Sequence, residues 1–398
     1  MPWKIKCLIG ERKRFVKLAL AAQQPLAQLC RSFGISRSVA YKWIGRFCQD
    51  GARGLRDRPR APQHSPRRTK ERWLKAIRQV RRRRPYWGAK KIQAMLRRRW
   101  RNGVPAVRTI GKWLRRMKLT QPMRRRSPKG PLVLRSALRV PQRANQVWTA
   151  DFKGWFRTAN KVRVEPLTVR DLYSRFVLEI RLLSDQRWEL VQRAFRRVFR
   201  RYGLPHTIRV DNGGPFASTG PGGLSRLSAW WTALGVRVEF TRPGHPEDNG
   251  AHEQFHRVLK TETTKPPSTT MRAQQRRIAR WIKVYNCFRA HEALGQRTPA
   301  EFYRQGRRCY QPVGEMSYPK RWAIRRVRSN GQIKWQGRLR SIGEALVGQR
   351  VGLKVIGGGW EVYFGPVLLG ELRPSDPFGL RPTASARTDR RVIQKTKV

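Results

Sequence analysis

The sequence predicts a multidomain chain: all-α helix-turn-helix units at the front, a central α/β domain with a five-stranded mixed sheet, and a small β-barrel behind it. Three observations predict this. Apolar residues recur three or four apart through residues 11–119; alternating runs and one-faced helices interleave between 147 and 289; short alternating runs broken by Gly-rich turns fill 318–373.

Charge narrows the function classes. The 398 residues carry 89 Lys and Arg against 24 Asp and Glu, a formal net charge of +65. Such an excess strains a compact protein by self-repulsion unless a polyanion accompanies it. Nucleic acid is the expected partner, with phosphate contacts dominating affinity; an anionic membrane surface fits less well. No apolar run approaches the roughly eighteen residues needed to span a bilayer. Glu11-Arg12-Lys13-Arg14 breaks up any early apolar segment, so a cytoplasmic, nucleoid-associated protein is expected. Cys7, Cys30, Cys48, Cys287 and Cys309 lack paired spacing, and only His64 among the histidines precedes residue 206, which argues against disulfides and an N-terminal zinc module.

The front reads as two helical units. Phe15, Leu18 and Ala19 form a first stripe, and Leu26, Leu29, Cys30 and Phe33 a second that ends at Gly34. Ser36 caps a third helix with Val39, Trp43 and Phe47 inward. Helix, Gly turn, helix is the helix-turn-helix pattern, and the third helix would enter the major groove. Its outward Arg37, Ser38, Tyr41 and Lys42 are the candidate DNA readers. Residues 49–68, with Gly51, Gly54, Pro59, Pro62 and Pro66 among arginines, read as a linker. Stripes at Trp73, Ile77 and Val80, at Ile92, Met95 and Leu96, and at Val107, Ile110, Trp113 and Leu114 give a second such unit, and residues 120–146 a basic connector.

The middle alternates strand and helix. Strands are expected at 147–156, 162–169, 176–182, 207–210 and 236–240, with helices at 187–202, 224–234, from about 250, and 271–289. In one mixed sheet the first and fourth of these strands can be neighbours. Asp151 lies on the first and Asp211 at the end of the fourth, and a helix laid across them can supply Glu253. Between Arg72 and Ala150 there is no acidic residue at all, which isolates Asp151. Three carboxylates suit two hard cations, Mg²⁺ or Mn²⁺, about 3.5–4 Å apart, the arrangement used in phosphodiester chemistry.

Several segments carry a family resemblance: Val147-Trp148-Thr149-Ala150-Asp151, Val210-Asp211-Asn212-Gly213, Pro243-Gly244-His245-Pro246 leading to Asn249-Gly250-Ala251-His252-Glu253, and His291-Glu292-Ala293-Leu294-Gly295-Gln296-Arg297-Thr298-Pro299-Ala300. Together they resemble bacterial insertion-sequence transposases with a retroviral-integrase-type (DDE) core. The resemblance implies a ribonuclease-H-like domain, joining of the 3′ ends of mobile DNA to target DNA, and Asp151, Asp211 and Glu253 as catalytic metal ligands. It further implies terminal inverted repeats and target DNA as partners and a homo-oligomer on DNA. His256 and Lys260 then line the DNA path. One departure concerns spacing: 41 residues separate Asp211 from Glu253 and 35 separate it from Glu247, and the family spacing is the shorter one. Glu253 is preferred because it follows Asn249-Gly250 on a helix. The extra length is placed in the Gly-rich Ser218–Ser225.

Two other readings compete. His252-Glu253-Gln254-Phe255-His256 matches the H-E-x-x-H signature of zinc metalloproteases, but that reading gives no role to Asp151, Asp211 or the charge. A non-catalytic, sequence-specific DNA-binding regulator, an inactive copy, is the other. The expected domains are 1–64 (helix-turn-helix and linker), 65–140 (second helix-turn-helix-like unit and connector), 141–310 (integrase core), 311–373 (β-barrel) and 374–398 (disordered basic tail).

Overall fold

The computed structural model describes residues 7–58, 69–100, 102–120, 138–242, 250–312, 314–376 and 379–381. The chain divides into two compact units, Met1–Thr69 and Lys70–Val398.

The first unit holds α1 (Leu8–Leu20), α2 (Leu26–Ser32) and α3 (Arg37–Asp50). Phe15, Val16, Leu29, Cys30, Ile35, Ala40, Trp43 and Leu55 make its core. Ser36 caps α3 by accepting from the Val39 N–H at 3.4 Å, as expected. The outward residues Arg37, Ser38, Tyr41 and Lys42 are all exposed. The expected linker starts later than the sequence suggested. Residues 51–55 form a 3-10 turn whose Leu55 is fully buried, and the Leu55 carbonyl accepts from the buried Arg12 guanidinium at 2.9 Å. That guanidinium also lies 3.8 Å from the centre of the Trp43 ring. Residues 59–68 lie outside the described residues.

The second unit begins with α4 (Glu71–Arg83), α5 (Ala89–Arg99) and α6 (Val107–Arg116), packed around Ile77, Val80, Trp87, Ile92, Leu96, Ile110 and Leu114. Most of the basic connector, 121–137, lies outside the described residues.

The central sheet follows: β1 (Val147–Phe152), β2 (Phe156–Arg157), β3 (Arg163–Asp171), β4 (Val177–Leu183), β5 (Thr207–Val210) and β6 (Arg237–Phe240). β3 pairs antiparallel with β4 and with β1, β1 pairs parallel with β5, and β5 pairs parallel with β6. The sheet therefore has six strands where five are expected. The first expected strand breaks at residues 153–155, where Gly154 takes a φ of +81°. β2 then resumes the same antiparallel ladder, Phe156 opposite Val164 where Phe152 stood opposite Leu167.

Helices cover both faces. On one lie α7 (Trp188–Tyr202) and α8 (Arg226–Ala233), on the other α9 (Gly250–Thr263) and α10 (Met271–Cys287). α7 buries Val191, Ala194, Phe195, Val198 and Phe199, the one-faced spacing that predicted it. They pack with Trp148, Ala150, Ile208, Val210 and Trp231 into the main core. Gly203 ends α7 at φ +80°, and a Cβ there would come within 2.7 Å of the Arg308 carbonyl oxygen, so only glycine fits. The opposite face packs Val164, Val177, Ile180 and Leu182 against Phe255, Leu259, Ile278 and Tyr285. The short α11 (Pro299–Phe302), started by a Thr298–Glu301 capping box, closes the domain.

Behind it come β7 (Ala323–Arg326), β8 (Gln332–Trp335), β9 (Arg338–Ser341), β10 (Arg350–Ile356), β11 (Gly359–Phe364) and β12 (Val367–Leu372). These strands do not close into the expected barrel. They form an open four-stranded sheet, β12-β11-β10-β7, and a separate two-stranded ribbon, β8-β9. Both share one core of Val327, Ile333, Ile342, Val351, Leu353, Val362 and Phe364. The 3-10 turn at Glu344–Leu346, opened by Gly343 at φ +129°, comes between β9 and β10 and separates the ribbon from the sheet. The core of this domain includes Leu224 and Ala229 of the central domain. The Ser218–Ser225 segment is an ordered loop, closed by an Ala217–Leu224 bridge. Residues 382–398 of the expected tail lie outside the described residues; just before them, the Arg381 N–H donates to the Glu371 carbonyl at 2.8 Å.

Because Phe195 is fully buried and meets Trp231 edge-on at 4.7 Å, Phe195→Ala should cost about 3–5 kcal/mol. Denaturant unfolding followed by tryptophan fluorescence should show a lower midpoint, whereas exposed Tyr41→Ala should leave it within about 0.5 kcal/mol of wild type.

Candidate active site

The sheet itself aligns two carboxylates. β1 and β5 run parallel with Val147 opposite Thr207 and Thr149 opposite Arg209. Asp151 lies two residues further along β1, and Asp211 is the residue directly after β5. Trp148, Ala150, Ile208 and Val210 point into the main core. The alternation of strand side chains therefore sends Asp151 and Asp211 out on the other face, towards α9. The turn after β5 is pinned on both sides. The Asn212 side-chain amide donates to the Thr241 carbonyl at 2.6 Å, and the Gly213 N–H donates to Asp211 Oδ1 at 3.3 Å. Burial raises the Asp211 carboxyl above its ordinary range, and the Gly213 N–H only partly offsets it.

α9 lies across this face because His252, Phe255, Leu259 and Thr263 recur along one side and are buried. Phe255 is gripped by Tyr285 and Trp281, with the Arg170 guanidinium 4.3 Å from its ring centre. Arg170 is itself buried, and its guanidinium donates to the Ala251 carbonyl at 3.0 Å. Burial is the chief reason its pKa is lowered.

Thr168, opposite Asp151 in the β1–β3 ladder, joins strand to helix. Its Oγ1 stands 2.9 Å from the Asp151 carbonyl oxygen, 2.6 Å from His252 Nε2 and 2.8 Å from His256 Nε2. A hydroxyl has one proton and a carbonyl can only accept. All three contacts are hydrogen bonds at once when Thr168 donates to the Asp151 carbonyl and both imidazoles donate Nε2–H to Thr168. Burial holds the His252 imidazole far below its usual pKa, helped by His256 and Arg170. It brings His256 down to about 3, helped by Arg170 and Lys153. Both rings are neutral at ordinary pH, so the 3.9 Å approach of His256 Nδ1 to Asp151 Oδ2 is not an ion pair.

Among the described residues, Asp151, His252 and His256 form the one group of ligand atoms lying within 4.8 Å of one another that could hold a metal ion. Glu253 is exposed on the first turn of α9 and stands outside that group, as does Asp211. Glu247 lies outside the described residues. Lys260 is exposed further along α9, and its charge adds to burial in lowering the pKa of Lys153, just beyond Asp151. Sequence reasoning did not single out Thr168 or Arg170. Their signal was present: polar side chains at alternate positions of an otherwise apolar strand, on the face that α9 covers.

Comparison with known proteins agrees with the fold. Residues 141–246 and 234–299 each match an integrase core domain model. Residues 11–63 match a helix-turn-helix domain, 39–114 a homeodomain-like domain, and 322–372 the C-terminal domain of IS481 family transposases. The chain is 32% identical over 180 residues to the insertion element IS407 uncharacterized 31.7 kDa protein of Burkholderia multivorans, covering 45% of this chain and 62% of that one. It is 30% identical over 180 residues to the insertion element IS476 uncharacterized 39.2 kDa protein of Xanthomonas euvesicatoria, covering 45% of this chain and 50% of that one. The chain thus spans roughly half to three-fifths of the length of these relatives. Among solved structures, the HTLV-2 integrase catalytic core domain in complex with magnesium is 16% identical, covering 41% of this chain and 99% of that one, with a TM-score of 0.33. The integrase core models and the insertion-element relatives bear out the resemblance to insertion-sequence transposases with an integrase-type core.

The neutral imidazoles make a pH prediction for the metal-free protein. Unfolded histidine titrates near 6.5, whereas His252, His256 and His291 are all depressed in the folded state, the last two to about 3. Between about pH 6.5 and 3 the unfolded chain binds more protons, so stability falls as pH falls through that window. Nitrogen-15 spectra of the imidazoles should show the Nε2–H form of His252 and His256 persisting at pH 5, with a falling melting temperature. Rings that titrate near 6.5 would contradict the buried arrangement.

Proposed function

We propose that the protein is a DNA transposase that cleaves the ends of a mobile element and joins their 3′ ends to target DNA by two-metal phosphodiester transfer. The observation that supports this reading most is that Asp151 stands on β1 and Asp211 directly after β5, the strand paired parallel with it. The charge of +65 supplies the matching affinity for a polyanion.

The donor set fits divalent ions. Two carboxylates share one face, and burial makes Asp211 more ready to take up a proton or a cation. Asp151, Asp211 and Glu253 would hold Mg²⁺ or Mn²⁺, with Glu253 reaching from the exposed side of the first turn of α9. When bound, two such ions activate an attacking oxygen and stabilise a leaving one.

The protein's own residues position the DNA. Arg37, Ser38, Tyr41 and Lys42 project from α3, as a recognition helix requires for reading terminal inverted repeats. Lys260 and His256 line the approach to the carboxylates, where Lys260 and Lys153 meet incoming phosphates as point charges. The second helical unit, the basic connector and the C-terminal domain, an open sheet with a separate ribbon, hold DNA backbone. Two element ends must be joined in one event, so the working form is a homo-oligomer on DNA, in the cytoplasm and associated with the nucleoid.

Strand transfer of a labelled terminal-repeat oligonucleotide with Mg²⁺ tests the assignment. Asp151→Asn, Asp211→Asn and Glu253→Gln should each lose on the order of 10³-fold, the equivalent of several kcal/mol of metal-borne stabilisation, while Glu247→Gln retains activity. Loss with Glu247→Gln in place of Glu253→Gln would move the third ligand. Zinc-dependent proteolysis without strand transfer would give the site to the His252/His256 protease reading, and DNA binding with neither activity would mark a regulator.

A further inference from the structure

We infer that His256 is itself a ligand of the metal that Asp151 holds, through Nδ1, with Thr168 as the residue that positions it. The inference rests on the reading of Asp151 as a metal ligand. It starts from proton counting at Thr168 Oγ1, which stands 2.9 Å from the Asp151 carbonyl oxygen, 2.6 Å from His252 Nε2 and 2.8 Å from His256 Nε2. The arrangement that makes all three contacts hydrogen bonds sends the hydroxyl proton to the carbonyl, puts hydrogen on both Nε2 atoms and leaves a lone pair on both Nδ1 atoms.

The lone pair on His256 Nδ1 lies 3.9 Å from Asp151 Oδ2. Two acceptors cannot hydrogen-bond to each other. Their separation is too long for a hydrogen bond but falls within the roughly 3–4 Å expected of two ligands sharing one ion at about 2.1 Å each. His252 stands in the same group: it is 2% exposed and offers a nitrogen within 4.8 Å of a His256 nitrogen and an Asp151 oxygen.

Thr168 does here what carbonyls and carboxylates do behind many metal-bound histidines. It accepts from the distal N–H, fixes the tautomer and ring orientation, and raises the basicity of the ligating nitrogen. The consequence is ion selectivity. An all-carboxylate site suits Mg²⁺, whereas one imidazole nitrogen shifts preference towards Mn²⁺, Co²⁺ or Zn²⁺. The H-E-x-x-H pattern of residues 252–256 then has a metal role without a protease: one histidine on the ion, the other beside it on the same hydroxyl.

Electron paramagnetic resonance of Mn²⁺ bound to the full chain tests this without any turnover. Titration gives the Mn²⁺ affinity and its competition by Mg²⁺, and electron-spin-echo modulation reads nitrogen-14 coupled to the ion. Wild type should show nitrogen modulation. His256→Phe and His256→Gln should both lose it and shift competition in favour of Mg²⁺, and Thr168→Val should weaken Mn²⁺ binding about tenfold or more. Asp151-dependent Mn²⁺ binding without nitrogen modulation in wild type would overturn the inference and leave the carboxylate reading standing. So would modulation that survives both His256 variants and is lost in His252→Asn. Mn²⁺ binding indifferent to Asp151→Asn and Asp211→Asn would overturn both. The wild-type spectrum decides even if a variant fails to fold.

Discussion

Parallel pairing of β1 with β5 sets a spatial constraint that the rest of the molecule serves. With Val147 opposite Thr207 and Thr149 opposite Arg209, the register runs on towards Asp151 on β1 and Asp211 directly after β5. Asp211 is half-buried there, and burial raises its carboxyl above the ordinary range. The sheet can hold them because it is anchored from the other side. Trp148 and Ile208 are fully buried neighbours of the acidic positions, packed under α7 and α8 in the main core. A shift of one residue in that ladder would exchange the two faces, bury the carboxylates among Phe195 and Trp231, and expose Trp148.

Positive charge is organised around this face rather than merely spread over it. Arg170 is buried beneath α9, held by the Ala251 carbonyl and the Phe255 ring. Burying an arginine is unfavourable; for Arg170, Nη1 and the π-face are used, while the buried Nε meets no hydrogen-bond partner among the described residues. Here it ties the start of α9 to the sheet and helps keep His252 and His256 neutral. On the far side of α9, Glu262 receives both the Trp281 indole N–H at 2.8 Å and the Arg289 guanidinium at 2.6 Å. One of the few acidic residues is thus used to join α9 to α10. Lys153 and Lys260 remain close enough to lower the Lys153 pKa, leaving cationic charge beside the carboxylates for a polyanion to neutralise.

Much of this was legible in the sequence because it depends on local period. Thr207–Val210 was read with the ends it has, since Gly203 and Pro205 precede it and Asp211-Asn212-Gly213 follows, and α7 followed from Trp188, Val191, Phe195 and Val198 on one face. Errors arose where the pattern said nothing about closure or continuity. The alternating run from Val147 reads straight through Gly154, yet the backbone turns there and yields a sixth strand. The runs after residue 318 resemble barrel strands, but alternation reports only which side chains face a core, not whether the first and last strands meet, and these form a sheet and a ribbon. Thr168 was legible as a polar residue within β3 but not as a junction. Its partners His252 and His256 stand 84 and 88 residues away, and only the docking of α9 on β3 brings them together. Exposure of Glu253 was equally illegible, since H-E-x-x-H gives its helix position and not the orientation of the helix on the sheet.

Anomalous diffraction from crystals soaked in Mn²⁺ tests the central claim most directly, because it locates the ion without reference to turnover. The account predicts a peak bounded by the Asp151 and Asp211 carboxylates, and its loss in Asp151→Asn. A peak seated elsewhere, or one that persists unchanged in Asp151→Asn, would contradict the claim that the β1–β5 register exists to build a metal site.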